Sequence, residues 1–349
     1  MYDARQTLEL LLNRRDLPEV EAAALLHSLA SAAAPPAWAG AVLAALRAKG
    51  VTAAELRGFA GAMRALARNP GLPSPLDAID LVGTGGDASG SLNLSTGAAL
   101  LTAACGMTVV KHGNRSISSK SGSADVMEQL GLAMPLDEAA AAACLQATGF
   151  TFLFAPYFHP AMKILAPVRS ALGIRTVFNL LGPLTNPAAP RFQLIGAYDL
   201  ASALLMADSL AGMDIERAWV VHGAAGWDEA TPIGPFVAFD VTRGRVTRHS
   251  IDPRDFGIAA CSAAELAGGD AAGNAAALCA VFERRDRGPH LAALILQSGL
   301  ALHIAGRAAS IAAGIATARG VVDSGRAAAW LAQLRRYAAS MAPPRAPTS

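Results

Sequence analysis

The sequence predicts an α/β protein: a small N-terminal helical domain, residues 1–71, then a large α/β domain, residues 72–345. The large domain has a central, mostly parallel sheet flanked by helices, with a hinge between the two domains. Three observations predict it. Residues 1 to about 70 carry only helix-period apolar patterns. After a Pro- and Gly-rich stretch, Asn69 to Pro75, short apolar strand runs alternate with helical stretches, as in βαβ units. Two loops rich in glycine and hydroxyls directly follow strand runs, where parallel sheets bind their ligands.

The N-terminal helical segments are Thr7 to Asn13, Pro18 to Ala33, Pro36 to Lys49 and Ala53 to Ala67. Breaks fall at Asp16-Leu17-Pro18, Pro35-Pro36 and Gly50-Val51-Thr52, and Thr52 followed by Glu55 has capping-box spacing. No residue here suggests catalysis; packing and subunit contact are the expected roles.

Composition narrows the class. Apolar residues make up 53% of 349, much of that alanine, and the longest apolar run, Leu291 to Ala305, contains Gln297 and His303. That run is too short and too polar for a membrane span. With Asp3, Arg5 and Glu9 near the start and no signal-peptide core, the expectation is a soluble cytoplasmic protein. A net charge of +2 gives no polyanion-binding footprint. The four cysteines, Cys105, Cys144, Cys261 and Cys279, show neither C-x-x-C nor zinc spacing and read as small buried hydrophobes.

Residues 79–131 carry the chemistry. The strand run Ile79 to Val82, interrupted by Asp80, leads into Gly83-Thr84-Gly85-Gly86-Asp87 and a polar run to Ser95. A helix then runs from about Asn93 to Cys105 and Gly106 ends it. A second strand, Met107 to Val110, leads into Lys111-His112-Gly113-Asn114-Arg115-Ser116 and on through Ser118, Ser119 and Lys120 to a helix opened by Ser121, Gly122 or Ser123. Glycines let backbone N–H groups approach an oxyanion, and hydroxyls at a helix start add donors where the macrodipole favours negative charge. Lys111 and Arg115 add full positive charge, so a ligand with two or more phosphates suits the pair of loops. There is no G-x-x-x-x-G-K-[ST], and Lys111 stands where a dinucleotide fold places its acidic residue.

Further along, Asp137 to Thr148 is a helix and Phe150 to Phe154 a strand with an aromatic exit, Ala155 to Pro160. A helix from Ala161 to Leu172 carries Lys163 and Arg169, and the turn-rich run Gly173 to Pro187 has the character of a hinge or lid. Strands Leu194 to Tyr198 and Ala218 to Val221 flank helix Leu200 to Ala211. The second strand exits into His222-Gly223-Ala224-Ala225-Gly226-Trp227-Asp228-Glu229. A carboxylate pair in such a loop is a magnesium candidate, because magnesium takes one or two carboxylates plus substrate phosphates. A solvated acidic turn is the competing reading. Val237 to Ser250 reads as a hairpin excursion. After Ser262 the chain is helical to about Ala339, broken at Gly268-Gly269-Asp270 and Gly288-Pro289; Pro343 to Ser349 reads as frayed.

GTGGD, NLST and KHGNRSISSKSGSAD together resemble the signature of the anthranilate phosphoribosyltransferase family, as do FAPYFHPAMK, APVR, GIRT and FNLLGPLTNP. The resemblance spans nearly the whole chain. It implies transfer of phosphoribosyl from phosphoribosyl pyrophosphate to the amine of anthranilate, releasing pyrophosphate, in tryptophan biosynthesis. It implies a homodimer formed through the helical domain, and a segment near residues 160–190 that crosses back toward that domain. The implied phosphoribosyl pyrophosphate residues are Gly83, Gly86, Asp87, Ser91, Asn93, Leu94, Ser95, Thr96, Lys111, His112, Gly113, Asn114, Arg115, Ser116, Ile117, Ser118, Ser119 and Ser123. Gly83, Asn114 and Arg169 would meet anthranilate, Arg169 through the fit of a guanidinium fork to a carboxylate; His159, read from the residues alone as near the cleft, is a further candidate for anthranilate. A surface ion pair is the competing reading of Arg169. Ser95, Asp228 and Glu229 would hold magnesium, two ions per site, although Ala230 to Ile233 depart from the family pattern.

No Ser-His-Asp set can be argued. His112 is the candidate general base, against the alternative of a structural histidine. The reaction itself needs no covalent nucleophile, since a ribose that develops oxocarbenium character needs charge stabilisation and positioning instead. Two rivals stay open: a pyrimidine nucleoside phosphorylase of the same architecture, and a non-catalytic relative that binds nucleic acid. Asn114-Arg115 and Asp228-Glu229 argue against the first; the intact phosphate motif and the low net charge argue against the second. The expected partners are therefore small molecules, with no nucleic acid and no membrane.

Overall fold

The computed structural model describes residues 4–73, 76–116 and 120–341. Four helices open the chain: α1 (Ala4–Leu12), α2 (Glu19–Leu29), α3 (Pro36–Lys49) and α4 (Ala53–Ala65). Helix α2 stops four residues short of the expected Ala33, because Pro35 and Pro36 bias the chain ahead of them away from helix. The Thr52–Glu55 capping box forms as the spacing predicts. Part of the stretch expected as a linker, residues 74 and 75, lies outside the described residues, as do Pro343 to Ser349.

Glu55 does more than cap. Its carboxylate accepts from Lys49 Nζ at 2.9 Å and from the Leu17 N–H at 2.9 Å, with the Glu55 side chain fully buried and Lys49 nearly so. Lys49 Nζ also meets the exposed Asp16 carboxylate at 2.7 Å, so Glu55→Ala leaves the lysine one partner but strips the Leu17 and Thr52 N–H groups of theirs, and it is expected to destabilise the protein by about 2 kcal/mol. Urea unfolding would check this; a loss under about 1 kcal/mol would mean that Asp16 and water replace what Glu55 supplies.

Strands β1 (Ile79–Gly83), β2 (Val109–Gly113), β3 (Phe150–Phe154), β4 (Phe192–Gly196), β5 (Arg217–His222), β6 (Phe236–Thr242) and β7 (Arg245–Ile251) form one sheet. Its order is β3-β2-β1-β4-β5-β6-β7; the first five strands run parallel and the last two antiparallel. The expected excursion at 237–250 is thus an integral sheet edge. Phe236, Ala238, Phe239 and Val241 bury β6, whereas Arg245 and Arg248 keep the outer strand charged, which discourages pairing with another chain.

The largest departure from expectation is β2. It runs through Lys111 and His112, which pair in register with Phe152 and Leu153. Both side chains are buried. A period rule that ends strands at the first charged residue cannot foresee a lysine whose charge is met inside the protein.

Between and after the strands lie α5 (Leu94–Ala104), α6 (Ser123–Gln129), α7 (Glu138–Thr148), α8 (Ala155–Phe158), α9 (Met162–Leu172), α10 (Phe178–Leu181), α11 (Leu200–Ala211), α12 (Ala271–Phe282), α13 (Pro289–Ile304), α14 (Ile311–Asp323) and α15 (Arg326–Met341). One core joins α5, α12 and α13 to the sheet. A second core joins α2, α3 and α4 to Leu165, Phe178, Leu184, α11 and the side chains of Ile195, Val220 and Val241. The helical bundle therefore reaches the sheet through α11. The apolar run 291–305 is the buried helix α13, and among the described residues no helix is long and apolar enough to cross a membrane.

Candidate active site

Strand β1 has β2 on one side and β4 on the other, so the chain order reverses beside it. Open α/β sheets bind ligands in the crevice beyond the strand C-termini at such a switch point. The loop after β5 folds across this point. Gly85 N–H donates to Asp228 Oδ2 at 2.6 Å, Asp228 N–H to Asp87 Oδ2 at 3.3 Å, and Ser95 N–H to Glu229 Oε1 at 3.2 Å. Two strands end in glycine for this reason. A Cβ on Gly83 would overlap the Asp228 carboxylate, and one on Gly196 the Asp228 backbone carbonyl.

Three carboxylates, Asp87, Asp228 and Glu229, thus converge. Burial first, and then the neighbouring carboxylate, push Asp228 and Glu229 well above the usual carboxylate range. Lys111 is the nearby cation. It donates to Leu81 O at 2.5 Å and lies 3.5 Å from Ser95 Oγ, and burial lowers its pKa against the pull of Asp80, Glu229 and Asp228. Carboxylates held together in a low-dielectric site favour a cation, and their oxygens with the Ser95 hydroxyl are the hard donors that magnesium takes. Among the described residues no group of three or more His, Cys, Asp or Glu side chains is arranged to hold a metal ion by itself; two carboxylates with a hydroxyl leave coordination positions for phosphate oxygens and water.

The other predicted residues divide into those the structure brings to this crevice and those it ties up elsewhere. Lys111 points inward to the carboxylates rather than out to solvent. Arg115 is exposed but engaged: its guanidinium forks onto Glu128 at 2.5 and 2.6 Å and reaches Asp125 at 2.9 Å. Asp125 also accepts from the Ser116 and Gly122 N–H groups, closing the start of α6. Asn114 is exposed at the loop mouth, with its backbone carbonyl accepting from Ser123 Oγ at 3.2 Å. The Asn93 amide is spent on Ser121 and Asn274, and the Leu94 N–H on Leu92 O. Ser91 pairs with Ala267, and Thr96 Oγ1 is buried without a partner. Gly113 sits against Ser123 Oγ and the Phe152 ring, where a side chain would not fit. Ile117, Ser118 and Ser119 lie outside the described residues.

His112 and His159 meet edge to face at 5.2 Å between ring centroids, both buried. His112 Nδ1 contacts Gly182 O at 3.2 Å, and each ring leaves Nε2 without a partner. Burial, followed for His112 by its neighbour His159, pulls the pKa values down to about 3 and about 4. Both rings are neutral at physiological pH and weakly basic, which argues against His112 as general base. Arg169, in the last turn of α9, lies 5.2 Å from the Phe178 ring centroid; burial lowers its pKa, and no carboxylate is paired with it among the described residues.

Asp80 and Asn186 escaped the motif reading. Asn186 Nδ2 donates to Asp80 Oδ2 at 2.8 Å and to Val110 O at 2.9 Å, and Asp80 Oδ1 accepts from the His112 N–H. This buried polar knot fastens the 173–187 segment to the sheet. The one available signal was the lone aspartate within an apolar strand.

The architecture and the site define a glycosyl transferase. Residues 76–328 match the glycosyl transferase family, a/b domain, and residues 5–67 the glycosyl transferase family, helical bundle domain. The chain is 47% identical to anthranilate phosphoribosyltransferase of Methylobacterium radiotolerans over 92% of each chain. It is also similar to the structure of the Thermus thermophilus anthranilate phosphoribosyltransferase, with TM-score 0.89, 37% identity, and 95% of this chain and 99% of that one covered. The Saccharomyces cerevisiae enzyme, solved in complex with phosphoribosyl pyrophosphate and magnesium, superposes with TM-score 0.87 at 25% identity, covering 97% and 98%. The chain belongs to the anthranilate phosphoribosyltransferase family, the pentosyltransferases that join phosphoribosyl to anthranilate in tryptophan biosynthesis.

Proposed function

We propose that the crevice at the β1 switch point carries out this transfer with the donor diphosphate over the Gly83–Asp87 loop and the start of α5. The convergence of Asp228 and Glu229 on that loop and on Ser95 is the observation that carries the assignment. Asp228, Glu229 and Ser95 would hold magnesium, with Asp87 beside them; the yeast relative, solved with magnesium, supports this reading. Bound magnesium supplies positive charge to the diphosphate oxygens. Lys111 balances the carboxylates from within. The Gly86–Asp87 turn of the glycine loop would face the phosphate oxygens beside the start of α5, and Asn114 and Ser123 stand at the exit of β2.

During transfer the C1–O bond to pyrophosphate breaks and a C1–N bond to the anthranilate amine forms, with loss of one amine proton. The residues position the amine and stabilise the departing charge. His112 and His159 are weak bases, and the departing pyrophosphate offers more basic oxygens for that proton. The same proposal includes two magnesium ions, domains spanning 1–71 and 72–345 with residues 160–190 returning toward the first, a homodimer formed through the helical bundle, and a cytoplasmic site of action.

Arg169 is assigned to the anthranilate carboxylate. Its guanidinium is partly desolvated and has no acidic partner among the described residues, and loss of a charged hydrogen bond costs about 1.5–3 kcal/mol. Arg169→Ala is therefore expected to raise the KM for anthranilate by about tenfold to a hundredfold, with the KM for phosphoribosyl pyrophosphate within about twofold. Equal change in both constants, or in neither, would contradict the assignment.

A further inference from the structure

The glycine loop is held from outside by two residues that no part of the phosphate motif contains. Gly85 and Gly86 have φ of +68° and +77°, and Ala88 also lies in the left-handed region at +56°. Such backbone turns its N–H groups into an anion-binding concavity, but glycine resists no peptide flip by itself. Arg175 supplies the restraint: its Nη2 donates to the Gly86 carbonyl oxygen. The guanidinium lies 4.0 Å above the Tyr198 ring centroid. Tyr198, at the exit of β4, is itself fixed to the loop, because its N–H donates to Thr84 Oγ1 at 3.2 Å. On the other side, Thr176 N–H donates to Asn179 Oδ1 at 2.9 Å, fixing the turn that presents Arg175. No carboxylate is paired with Arg175 among the described residues. An exposed arginine with the Gly86 carbonyl and an aromatic face as its contacts is engaged in shape rather than in charge balance.

We infer that Arg175, seated on Tyr198, is a positioning residue for the phosphorylated donor. A trans peptide places its C=O and N–H on opposite edges of one plane. By holding the Gly86 oxygen outward, Arg175 sets the Asp87 N–H on the far edge, where a diphosphate oxygen can take it. It also keeps Asp87 in place to meet the Asp228 loop. The inference rests on the proposed function, since it names the donor that the loop binds.

The test measures both KM values, calorimetric binding of phosphoribosyl pyrophosphate and the melting temperature for the full-length wild type, Arg175→Ala, Arg175→Lys, Tyr198→Leu and the Arg175→Ala/Tyr198→Leu double variant. Arg175→Ala is expected to raise the donor KM and Kd by about tenfold while the anthranilate KM stays within about twofold and the melting temperature within about 2 °C. Arg175→Lys recovers less than about half of the loss, lacking the planar fork. Tyr198→Leu has a similar effect, and the double variant is no worse than the poorer single one, as expected of one shared contact. An Arg175→Ala donor KM within about twofold of wild type overturns the inference, and so does a parallel rise of both KM values with a lowered melting temperature. A wild type without transfer activity or donor binding overturns the proposed function and the inference with it; an active wild type with unchanged variants overturns the inference alone.

Discussion

Asp228→Asn is expected to lower kcat/KM for transfer by a factor on the order of a hundred to a thousand at saturating magnesium, comparable to the removal of a key electrostatic group elsewhere. Asp228 receives the Gly85 N–H, donates its own N–H to Asp87, and stands beside Glu229. The same change is expected to stabilise the metal-free protein at alkaline pH. A carboxyl whose folded pKa lies above its unfolded value binds protons more tightly in the native state. Its contribution is therefore fully present below the ordinary carboxylate pKa and is lost as pH rises through the raised folded value. In chelator, the wild type should lose melting temperature between about pH 4 and about pH 7 more steeply than Asp228→Asn. Magnesium should restore the wild type and leave the variant unmoved. Transfer within about tenfold of wild type, or parallel pH slopes, would contradict the role given to Asp228.

Gly196→Ala should be nearly as damaging to activity, with an added loss of stability. The new Cβ would overlap the Asp228 carbonyl, and that neighbour is backbone rather than a swinging side chain. Either β4 or the Asp228 loop must move, at an expected cost of about 1–3 kcal/mol and a fall in activity of about a hundredfold. Gly83→Ala separates the two effects. There the obstruction is the Asp228 carboxylate itself, which can rotate away. Activity should fall comparably while unfolding free energy changes by less than about 1 kcal/mol. Chemical denaturation beside initial rates distinguishes them. A Gly196→Ala variant as stable and active as wild type would show that the loop adapts freely.

The architecture was legible because its signals are local. The change of period near residue 70, the glycines after β1 and the capping box at Thr52 each follow from nearest neighbours in sequence. The acid pair was legible for a similar reason, since Asp228 and Glu229 stand together after a strand. What sequence reasoning missed depends on partners far along the chain. The surroundings of Lys111, namely Leu81 O, Ser95 and the carboxylates, are one example. The grip of Glu128 and Asp125 on Arg115 is another. Asp80 with Asn186, and Arg175 with Gly86, join residues more than eighty positions apart. Such pairs leave no periodic trace; only the sheet order brings them together.

The central claim is that this crevice uses a magnesium-assisted diphosphate departure to place phosphoribosyl on anthranilate. The most direct measurement follows the fluorescence of anthranilate on addition of phosphoribosyl pyrophosphate, with magnesium and with chelator. Loss of the signal is expected only when both the donor and magnesium are present, at a rate strongly reduced in Asp228→Asn. A signal that persists under every metal condition, or that falls at an equal rate in chelator, would contradict it.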